Sequence, residues 1–197
     1  MAITGNLDTT LRIPFTGWAP DLKWFAYPLY LLVIVGFVNS TNITDGIDGL
    51  ASSIGSTVAV AFIVMAVITG SRYTGLVGAM LLGALLGFLV FNRYPAKIFM
   101  GDTGSLFIGG IIMGCAVSEG QLFSVIIMSM VFIFEMLSSL WQRVYFKLTK
   151  GKRFFKKAPV HHHFQLMDWS EVKIVTVFAT VSALLCALGV LGAVLKF

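Results

Sequence analysis

Apolar residues fill most of the chain in long, nearly uncharged stretches that short polar segments separate. Six such stretches lie at about residues 24–40, 50–69, 74–91, 105–118, 121–141 and 172–195. A helix of about 20 mostly apolar residues crosses the hydrocarbon core of a bilayer, so the pattern predicts six membrane-spanning helices. The fourth stretch is short for a full span and must extend into its flanks or lean on neighbouring helices. We therefore expect an all-α, polytopic membrane protein, with residues 1–197 forming one transmembrane domain and no soluble domain.

The composition supports this prediction. Apolar residues make up 57% of the 197 residues and charged residues only 12%, about half the charged share of an average soluble domain. A disordered chain, a disulfide-rich secreted scaffold and a soluble two-domain enzyme are all excluded, because none is apolar through most of its length. Cys115 and Cys186 fall inside apolar stretches, where we interpret them as packing residues. The first 23 residues have no continuous apolar core, so we do not expect a signal peptide.

The distribution of positive charge predicts which loops face the cytoplasm. The chain has 14 Lys and Arg residues against 9 Asp and Glu. If six spans alternate, one side receives the loops at about 41–49, 92–104 and 142–171. The other side holds only four of the basic residues, namely Arg12, Lys23, Arg72 and Lys196. Cytoplasmic loops collect Lys and Arg, so the first three loops are predicted to be cytoplasmic. Because the charge excess is attributed to topology, we expect no nucleic-acid partner.

The first of these loops, NSTNITDGIDG at 39–49, places two carboxylates near glycines. Asp45 and Asp48 are three residues apart and would share one face of a helix. Gly46 and Gly49 would let a ligand approach the backbone closely. The alternative is an Asx-rich turn that caps the following helix, since Asn, Thr, Asp and Gly are typical of helix starts.

The second loop repeats this combination where the next apolar stretch begins. Asp102 and Ser105 lie at the predicted helix start, so capping is again the alternative. A helix N-terminus also favours anions, and Gly101 and Gly104 would open it to a phosphate. Magnesium takes oxygen ligands, typically one or two carboxylates plus substrate phosphates. Two such loops on one membrane face favour a Mg²⁺-phosphate site over capping.

The third loop is basic and ends in three histidines. Seven Lys and Arg residues between 143 and 157 are interpreted mainly as an anchor on anionic lipid. Three consecutive rings cannot all face one ion from a regular helix, which argues against a zinc site built from His161, His162 and His163 alone. In a loop after Pro159, they fit donor roles toward an anionic substrate or proton transfer near neutral pH.

Two polar residues of the fifth stretch also stand out. Glu135 is an acid inside an apolar span, which favours a functional role; the alternative is a buried residue bonded to a neighbouring helix. Gln142 lies at the predicted interface, from where it would reach a substrate. A transporter is a further alternative, but transport sites lie near the bilayer midplane, whereas most of the acids and all the histidines cluster in loops.

Three strings in the chain resemble signature segments of a known family. They are NSTNITDGIDGLA at 39–51, FMGDTGSLFIGG at 99–110 and APVHHHF at 158–164. These segments are similar to those of the bacterial phospho-MurNAc-pentapeptide transferases, which belong to the polyprenyl-phosphate N-acetylhexosamine-1-phosphate transferase superfamily. The first two are typical of the superfamily, while the histidine segment distinguishes this family from its GlcNAc-1-phosphate relatives. The resemblance covers essentially the whole chain.

The resemblance implies a reaction at the bacterial plasma membrane, with Mg²⁺ as cofactor. UDP-MurNAc-pentapeptide would transfer its phospho-MurNAc-pentapeptide to undecaprenyl phosphate in the bilayer, giving lipid I and UMP. Asp102 and Asn42 would be metal ligands, and Phe99 would offer its ring to uracil. The residues expected to act in catalysis are Asp102, Asp45, Asp48 and His161. Those expected to bind substrate are Asn39, Asn42, Asp45, Asp48, Asn92, Phe99, Gln142, His161, His162 and His163.

The chain also departs from the family pattern. The family carries an aspartate pair followed by a lysine on an earlier cytoplasmic loop, and this sequence contains no Asp-Asp. Residues 6–15 resemble the extracytoplasmic loop after the family's fourth span, so the chain resembles the later six of about ten spans. Gln165 stands where the family often has Glu. We therefore expect a homodimer or a partner supplying a missing N-terminal half, and the alternative to the transferase is an incomplete, inactive or split copy that binds nucleotide or partners without turnover.

Overall fold

The protein consists of helices joined by short segments. The structure, a computed structural model, describes residues 8–195; the charge prediction for Lys196 and the first two positions of the 6–15 resemblance lie outside that range. The helices are Ala26–Thr44 (α1), Leu50–Thr69 (α2), Arg72–Asn92 (α3), Gly101–Ser118 (α4), Leu122–Met128 (α5), Met130–Leu148 (α6), Val160–Gln165 (α7) and Glu171–Val194 (α8). A short 3₁₀ helix, Lys23–Phe25, leads into α1.

Most of these helices are long and apolar enough to cross a bilayer. Five meet both criteria, namely α1 with its 3₁₀ lead-in, α2, α3, α4 and α8. The consecutive helices α5 and α6 meet them together and bring the number to six if they are counted as one bent span. The prediction of an all-α, multi-pass membrane protein is confirmed.

The first predicted span ends too early. The apolar pattern predicts a span at 24–40, but α1 continues to Thr44, and the segment NSTNIT is helical. The hydroxyls explain the extension, because each donates to a carbonyl three or four residues earlier in the same helix. Ser40 donates to Phe37 O at 2.6 Å, Thr41 to Val38 O at 2.8 Å and Thr44 to Ser40 O at 2.7 Å. Polar side chains that bond within their own helix need no loop to satisfy them.

The fifth predicted span is not a continuous helix. The apolar pattern predicts one span at 121–141, but the chain bends by 76° between α5 and α6. Ser129, at φ −103° and ψ 13°, leaves helical geometry at the bend. Beyond it α6 runs on to Leu148, so Gln142, Arg143 and Lys147 belong to a helix rather than to the predicted third loop. Long unbranched basic side chains favour helix, which accounts for the extension.

Two sets of helices pack extensively within themselves. In one set α2 contacts α3 and α8, and α8 contacts α5; in the other α1 contacts α4 and α6. The apolar window of α2 is 61% buried against 22% for α3, so α2 is the central helix. At the α1–α4 crossing, a Cβ added to Gly109 would lie 2.8 Å from Val38 Cα. Such close backbone approach at small residues is typical of membrane helices.

The connecting segments gather at two ends of the bundle. Residues 45–49, 93–100, 149–159 and 166–170, together with the adjoining two turns of the helices, form what we call the loop end. Residues 8–22, 70–71 and 119–121 meet the end of α8 at the opposite end, where a Cβ added to Gly192 would lie 2.8 Å from Pro14 Cβ. The three loops that the charge pattern assigns to one side of the membrane thus lie together at the loop end.

Candidate functional site

A polar cavity of about 280 Å³ opens at the loop end. Its walls come from the end of α1, the α1–α2 loop, the end of α3 with the following loop, and the first turn of α4. The lining residues are Asn42, Asp45, Gly46, Ile47, Asp48, Asn92, Phe99, Gly101 and Asp102. Segments that are 60 residues apart in the chain, at Asn42 and Asp102, are therefore neighbours in the fold.

Asn42 connects the two sides of the cavity. Its amide nitrogen donates to Asp102 Oδ1 at 2.8 Å and to Ser105 Oγ at 3.0 Å. The Ser105 hydroxyl in turn donates to the carbonyl of Gly101 at 3.0 Å, which leaves its oxygen free to accept. Asp102 lies in the first turn of α4, where the helix dipole stabilises a negative charge. These contacts hold Asn42 and Asp102, the two predicted metal ligands, next to each other in the cavity.

Asp45 and Asp48 have different environments. Asp48 Oδ2 accepts the backbone N–H of Ala96 at 2.8 Å and so ties the first loop to the second. Asp45 is half-buried and accepts no hydrogen bond within residues 8–195. Burial raises the pKa of Asp45, and the negative charge of Asp102 raises that pKa further. Two carboxylates that repel each other across one cavity are suited to hold a cation between them.

The capping alternative for both acidic loops is wrong. The residue before α2 is Gly49, at φ 76°, and no side chain caps that helix. Met100 precedes α4, again without a side-chain cap. Capping needs a side-chain oxygen at this position, and neither Gly49 nor Met100 has one. The acids of both loops are thus left for other contacts.

Asn92 and Phe99 hold contrasting positions in the cavity wall. Asn92 is buried; it donates to the carbonyl of Ile98 at 3.0 Å and accepts from Ser52 Oγ at 3.0 Å, so it supports the loop between α3 and α4. Phe99 is 77% exposed at the cavity rim, which leaves its ring available for stacking. Asn39 lies outside the cavity, and its amide donates to Val35 O of its own helix at 2.7 Å.

Gln142 is occupied by the basic loop. Its oxygen accepts from the N–H groups of Phe154 and Phe155 at 3.2 and 3.0 Å, and its nitrogen donates to Phe155 O at 3.0 Å. It also borders a second cavity of about 580 Å³. The basic residues that line this second cavity are Arg143, Lys147, Arg153 and Lys157. Contact between Gln142 and a substrate stays a prediction.

The three histidines lie on a short helix, α7, within the predicted third loop. Their rings make three different contacts. His161 is fully buried with Nδ1 at 2.9 Å from Glu135 Oε2. His162 Nδ1 lies 2.6 Å from Gln165 Oε1, and burial lowers the pKa of His162. His163 Nδ1 accepts the N–H of Lys156 at 3.1 Å. None of the three lines the 280 Å³ cavity, so the assignment of their rings to the sugar-phosphate stays a prediction.

Several contacts at this end are beyond the reach of sequence reasoning. The partners that orient the predicted residues are backbone groups of Ala96 and Ile98 and the hydroxyls of Ser52 and Ser105. None of them carries a distinctive signal in the sequence. Glu135 does, because an acid stands out in an apolar stretch, but its partner His161 is 26 residues away and on another helix.

The donor set of the cavity fits a hard cation. Asp45, Asp102 and the amide oxygen of Asn42 are oxygen donors around one cavity. Among residues 8–195, no group of three or more His, Cys, Asp or Glu side chains could enclose a metal by itself. Magnesium is commonly held by one or two carboxylates, with waters and substrate phosphates completing its shell. The residues present therefore fit Mg²⁺ bound together with a phosphate ligand.

Fold and cavity together define a multi-pass membrane protein with an acidic, phosphate-compatible site at one end. The family description Glycosyl transferase family 4 matches residues 1–120, a stretch that contains every residue lining the 280 Å³ cavity. The chain belongs to this family.

Three similar relatives carry the name phospho-N-acetylmuramoyl-pentapeptide-transferase. The chain is 44% identical over 185 residues to that protein from Halalkalibacterium halodurans, covering 94% of the chain and 57% of the relative. The relative from Acetivibrio thermocellus is 45% identical over 188 residues, with 94% and 57% covered. The relative from Staphylococcus aureus strain RF122 is 46% identical over 174 residues, with 88% and 54% covered. The chain thus spans little more than half the length of these relatives.

Proposed function

We propose that this chain carries the metal- and nucleotide-binding elements of a phospho-MurNAc-pentapeptide transferase. The reaction would move phospho-MurNAc-pentapeptide from its UDP carrier to undecaprenyl phosphate, forming lipid I and UMP in peptidoglycan synthesis. The observation that supports it most is the shared cavity of Asn42, Asp45, Asp48 and Asp102. Relatives 44–46% identical to the chain are named for transfer of the same phospho-N-acetylmuramoyl-pentapeptide group, which supports the proposal.

The proposed site lies at the cytoplasmic surface of the bacterial plasma membrane. One substrate is a soluble anion and the other a lipid whose phosphate sits at headgroup level, so their phosphates meet only at the interface. The loop end carries the basic residues around the second cavity, including Arg143 and Lys147. Positive charge there would attract both anionic substrates and would agree with the positive-inside rule.

Each residue of the cavity has a separate task in this proposal. Asp102 and Asn42 would hold Mg²⁺, with Asp45 beside them. When bound, Mg²⁺ would neutralise charge on the pyrophosphate and stabilise the charge that develops during transfer. Asp48 holds the two loops together through Ala96, and the exposed ring of Phe99 would stack on uracil. Catalysis of phosphoryl transfer rests mainly on such positioning and electrostatics.

Replacing Asp102 tests the site. We expect Asp102→Ala to weaken Mg²⁺-dependent binding of UDP-MurNAc-pentapeptide by roughly 100-fold, or ~2.8 kcal/mol, because a ligand carboxylate is lost. Isothermal titration calorimetry on the chain in nanodiscs, with and without Mg²⁺, measures this change. Asp102→Asn keeps an oxygen acceptor for Asn42 and should lose nearly as much affinity, which separates loss of charge from loss of fold.

The control is Asp168→Asn, at an exposed acid of the same end that lines none of the cavities described here. It should bind like the parent chain. If Asp102→Ala also bound nucleotide and metal as tightly as the parent, the assignment of the site would be wrong.

A second candidate function is binding without turnover by a split or incomplete enzyme. It is favoured by the absence of Asp-Asp from the 197 residues. We expect little lipid I from this chain alone, and restored synthesis when a segment carrying the aspartate pair is co-expressed. A homodimer would not by itself restore activity. Lipid I formation by the chain alone, at rates typical of its relatives, would contradict this candidate.

A further inference from the structure

Glu135 and His161 form a pair that is sealed from solvent. Neither side chain has exposed surface, and Nδ1 of the ring lies 2.9 Å from Oε2 of the carboxylate. A polar group buried without a partner is costly, so this contact is a directed link between α6 and α7. A second link lies beside it, since the N–H of Val160 donates to Ser138 Oγ at 3.1 Å and that hydroxyl donates to the Glu135 carbonyl at 2.7 Å. The start of α7 is therefore held firmly on α6.

The far edge of the His161 ring rests against the first acidic loop. A Cβ added to Gly46 would clash with Nε2 and lie 2.8 Å from Cε1 of the ring, closer than real Cβ atoms come. Only glycine fits at this position while the ring stays in place. Gly46 lies between Asp45 and Asp48, and all three line the 280 Å³ cavity. The ring thus supports from behind the loop whose carboxylates face the cavity.

Two atoms of the pair have no hydrogen-bond partner among the described residues. They are Glu135 Oε1 and His161 Nε2, and both are buried. The Glu135 carboxylate accepts from Nδ1–H, and Nε2 faces the loop at Gly46. No further hydrogen bond holds the ring, so its orientation depends on Glu135.

We propose that Glu135 is a positioning residue: through the His161 ring it fixes the backbone of residues 45–48 and so sets the placement of the cavity carboxylates. His161 acts in the same way, through the contact of its ring with Gly46. This inference rests on the proposed function for its effect on nucleotide binding, while the effect on the loop itself is independent of that function. The contacts from carboxylate to ring to glycine are not required for α6 to pack, because Phe132 and Val131 of α6 are buried in the apolar core.

Hydrogen exchange at the loop tests the proposal directly. We measure exchange of the amides of residues 46–49 by mass spectrometry on the 197-residue chain in nanodiscs, and binding of UDP-MurNAc-pentapeptide with Mg²⁺ on the same samples. Glu135→Ala should speed exchange of these amides by about tenfold or more, as expected when a local opening becomes easier. It should also weaken binding by about tenfold. Glu135→Gln should stay within about threefold of the parent in both, because its amide oxygen still accepts the Nδ1 proton.

The matched control is Ser182→Ala, which removes another buried polar contact. Ser182 Oγ lies 2.6 Å from Thr57 Oγ1 between α8 and α2. This change should lower stability without altering exchange at residues 46–49. Equal effects of Ser182→Ala and Glu135→Ala on the loop would overturn the proposal, because general destabilisation would then suffice.

A double substitution tests the contact between ring and glycine without removing Glu135. Gly46→Ala alone should disturb the loop as Glu135→Ala does. His161→Asn keeps an N–H toward Glu135 and vacates the space beside position 46. The double variant should therefore bind nucleotide more tightly than Gly46→Ala alone, and its amides at residues 46–49 should exchange more slowly. Such coupling is expected only for residues in contact. Additive losses, or unchanged exchange in Glu135→Ala, would overturn the proposal. If the parent chain binds no nucleotide, the proposed function fails, and the exchange measurements still decide the positioning role.

Discussion

The two ends of the helix bundle use their charged residues in opposite ways. At the opposite end, Arg12 pairs with Asp8 at 2.9 Å and donates to the carbonyl of Glu119 at 3.2 Å. The Glu119 carboxylate accepts from Ser71 at 2.8 Å. At the loop end, within the part of the chain that the structure describes, Asp45 and Asp102 have no cationic partner. Charged side chains thus hold segments of the chain together at the opposite end, whereas the carboxylates of the loop end remain available to bind a cation.

The basic residues of the loop end reinforce this contrast. Arg143, Lys147, Arg153 and Lys157 surround the second cavity, and none forms an ion pair with a carboxylate of residues 8–195. None of these four basic residues lines the 280 Å³ cavity of Asp45 and Asp102. A cation and a phosphate-bearing ligand would satisfy both sets, which is why we place ligand binding at this end and structural closure at the other.

Filling the helix crossings should produce the largest difference between the two ends. A Cβ at Gly109 would lie 2.5 Å from Thr41 Oγ1, and one at Gly189 would lie 2.7 Å from the Ser124 carbonyl. Overpacking of this kind costs about 1–3 kcal/mol, so Gly109→Ala and Gly189→Ala should lower thermal stability alike. Only Gly109→Ala should also weaken Mg²⁺-dependent nucleotide binding, because it separates α1 from α4 and with them Asn42 from Asp102. Equal losses of binding in both variants would remove the distinction between the ends.

A change of charge within the cavity should have a smaller effect. Asp45→Asn removes a negative charge that repels Asp102, so the free energy of unfolding should not fall. Affinity for nucleotide in the presence of Mg²⁺ should fall about tenfold, or ~1.4 kcal/mol. Calorimetric titration and thermal unfolding on the same sample check both parts. Asp21→Asn, at the opposite end, should leave binding unchanged; reduced binding there would show that the two ends are coupled.

The exposed ion pair of the opposite end should matter least. Arg12→Gln removes the contact with Asp8, in which the side chains are 50% and 34% exposed. Surface pairs contribute about 0.2–1 kcal/mol, and salt screens them. We therefore expect a small loss in unfolding midpoint at low salt, a smaller one at 1 M salt, and no change in nucleotide binding. A loss of binding would mean that this end takes part in the site.

Much of the fold follows from hydrophobicity alone. A run of about 20 apolar residues has few structures available in a bilayer, so the number and approximate position of the spans were predictable. The break at Ser129 was not, because it falls between Met128 and Met130 with no proline or glycine to signal it. The helical end of α1 was not predictable either. Its Ser and Thr residues are typical of loops in a sequence, although their hydroxyls donate to carbonyls of the same helix.

The candidate site was predictable where it depends on residue type. Asp45, Asp48 and Asp102 stand beside glycines in otherwise apolar surroundings, and the structure brings all three to one cavity. The supporting contacts were not predictable, because they depend on which segments meet in space. The link from Glu135 to His161 and on to Gly46 joins three separate segments of the chain. Local pattern carries no information on such an arrangement.

The division of the helices into two packing sets has a mechanical consequence. The α1–α2 loop and the α3–α4 loop each pass from one set to the other, and both line the 280 Å³ cavity. Asn42 and Asp102 belong to the set of α1, α4 and α6, whereas Asn92 ends α3, a helix of the other set. The cavity therefore lies between the two sets, and a displacement of one set along the other would change the width of the cavity. The width of the cavity therefore depends on how the two sets are placed against each other, and not only on the packing within each set.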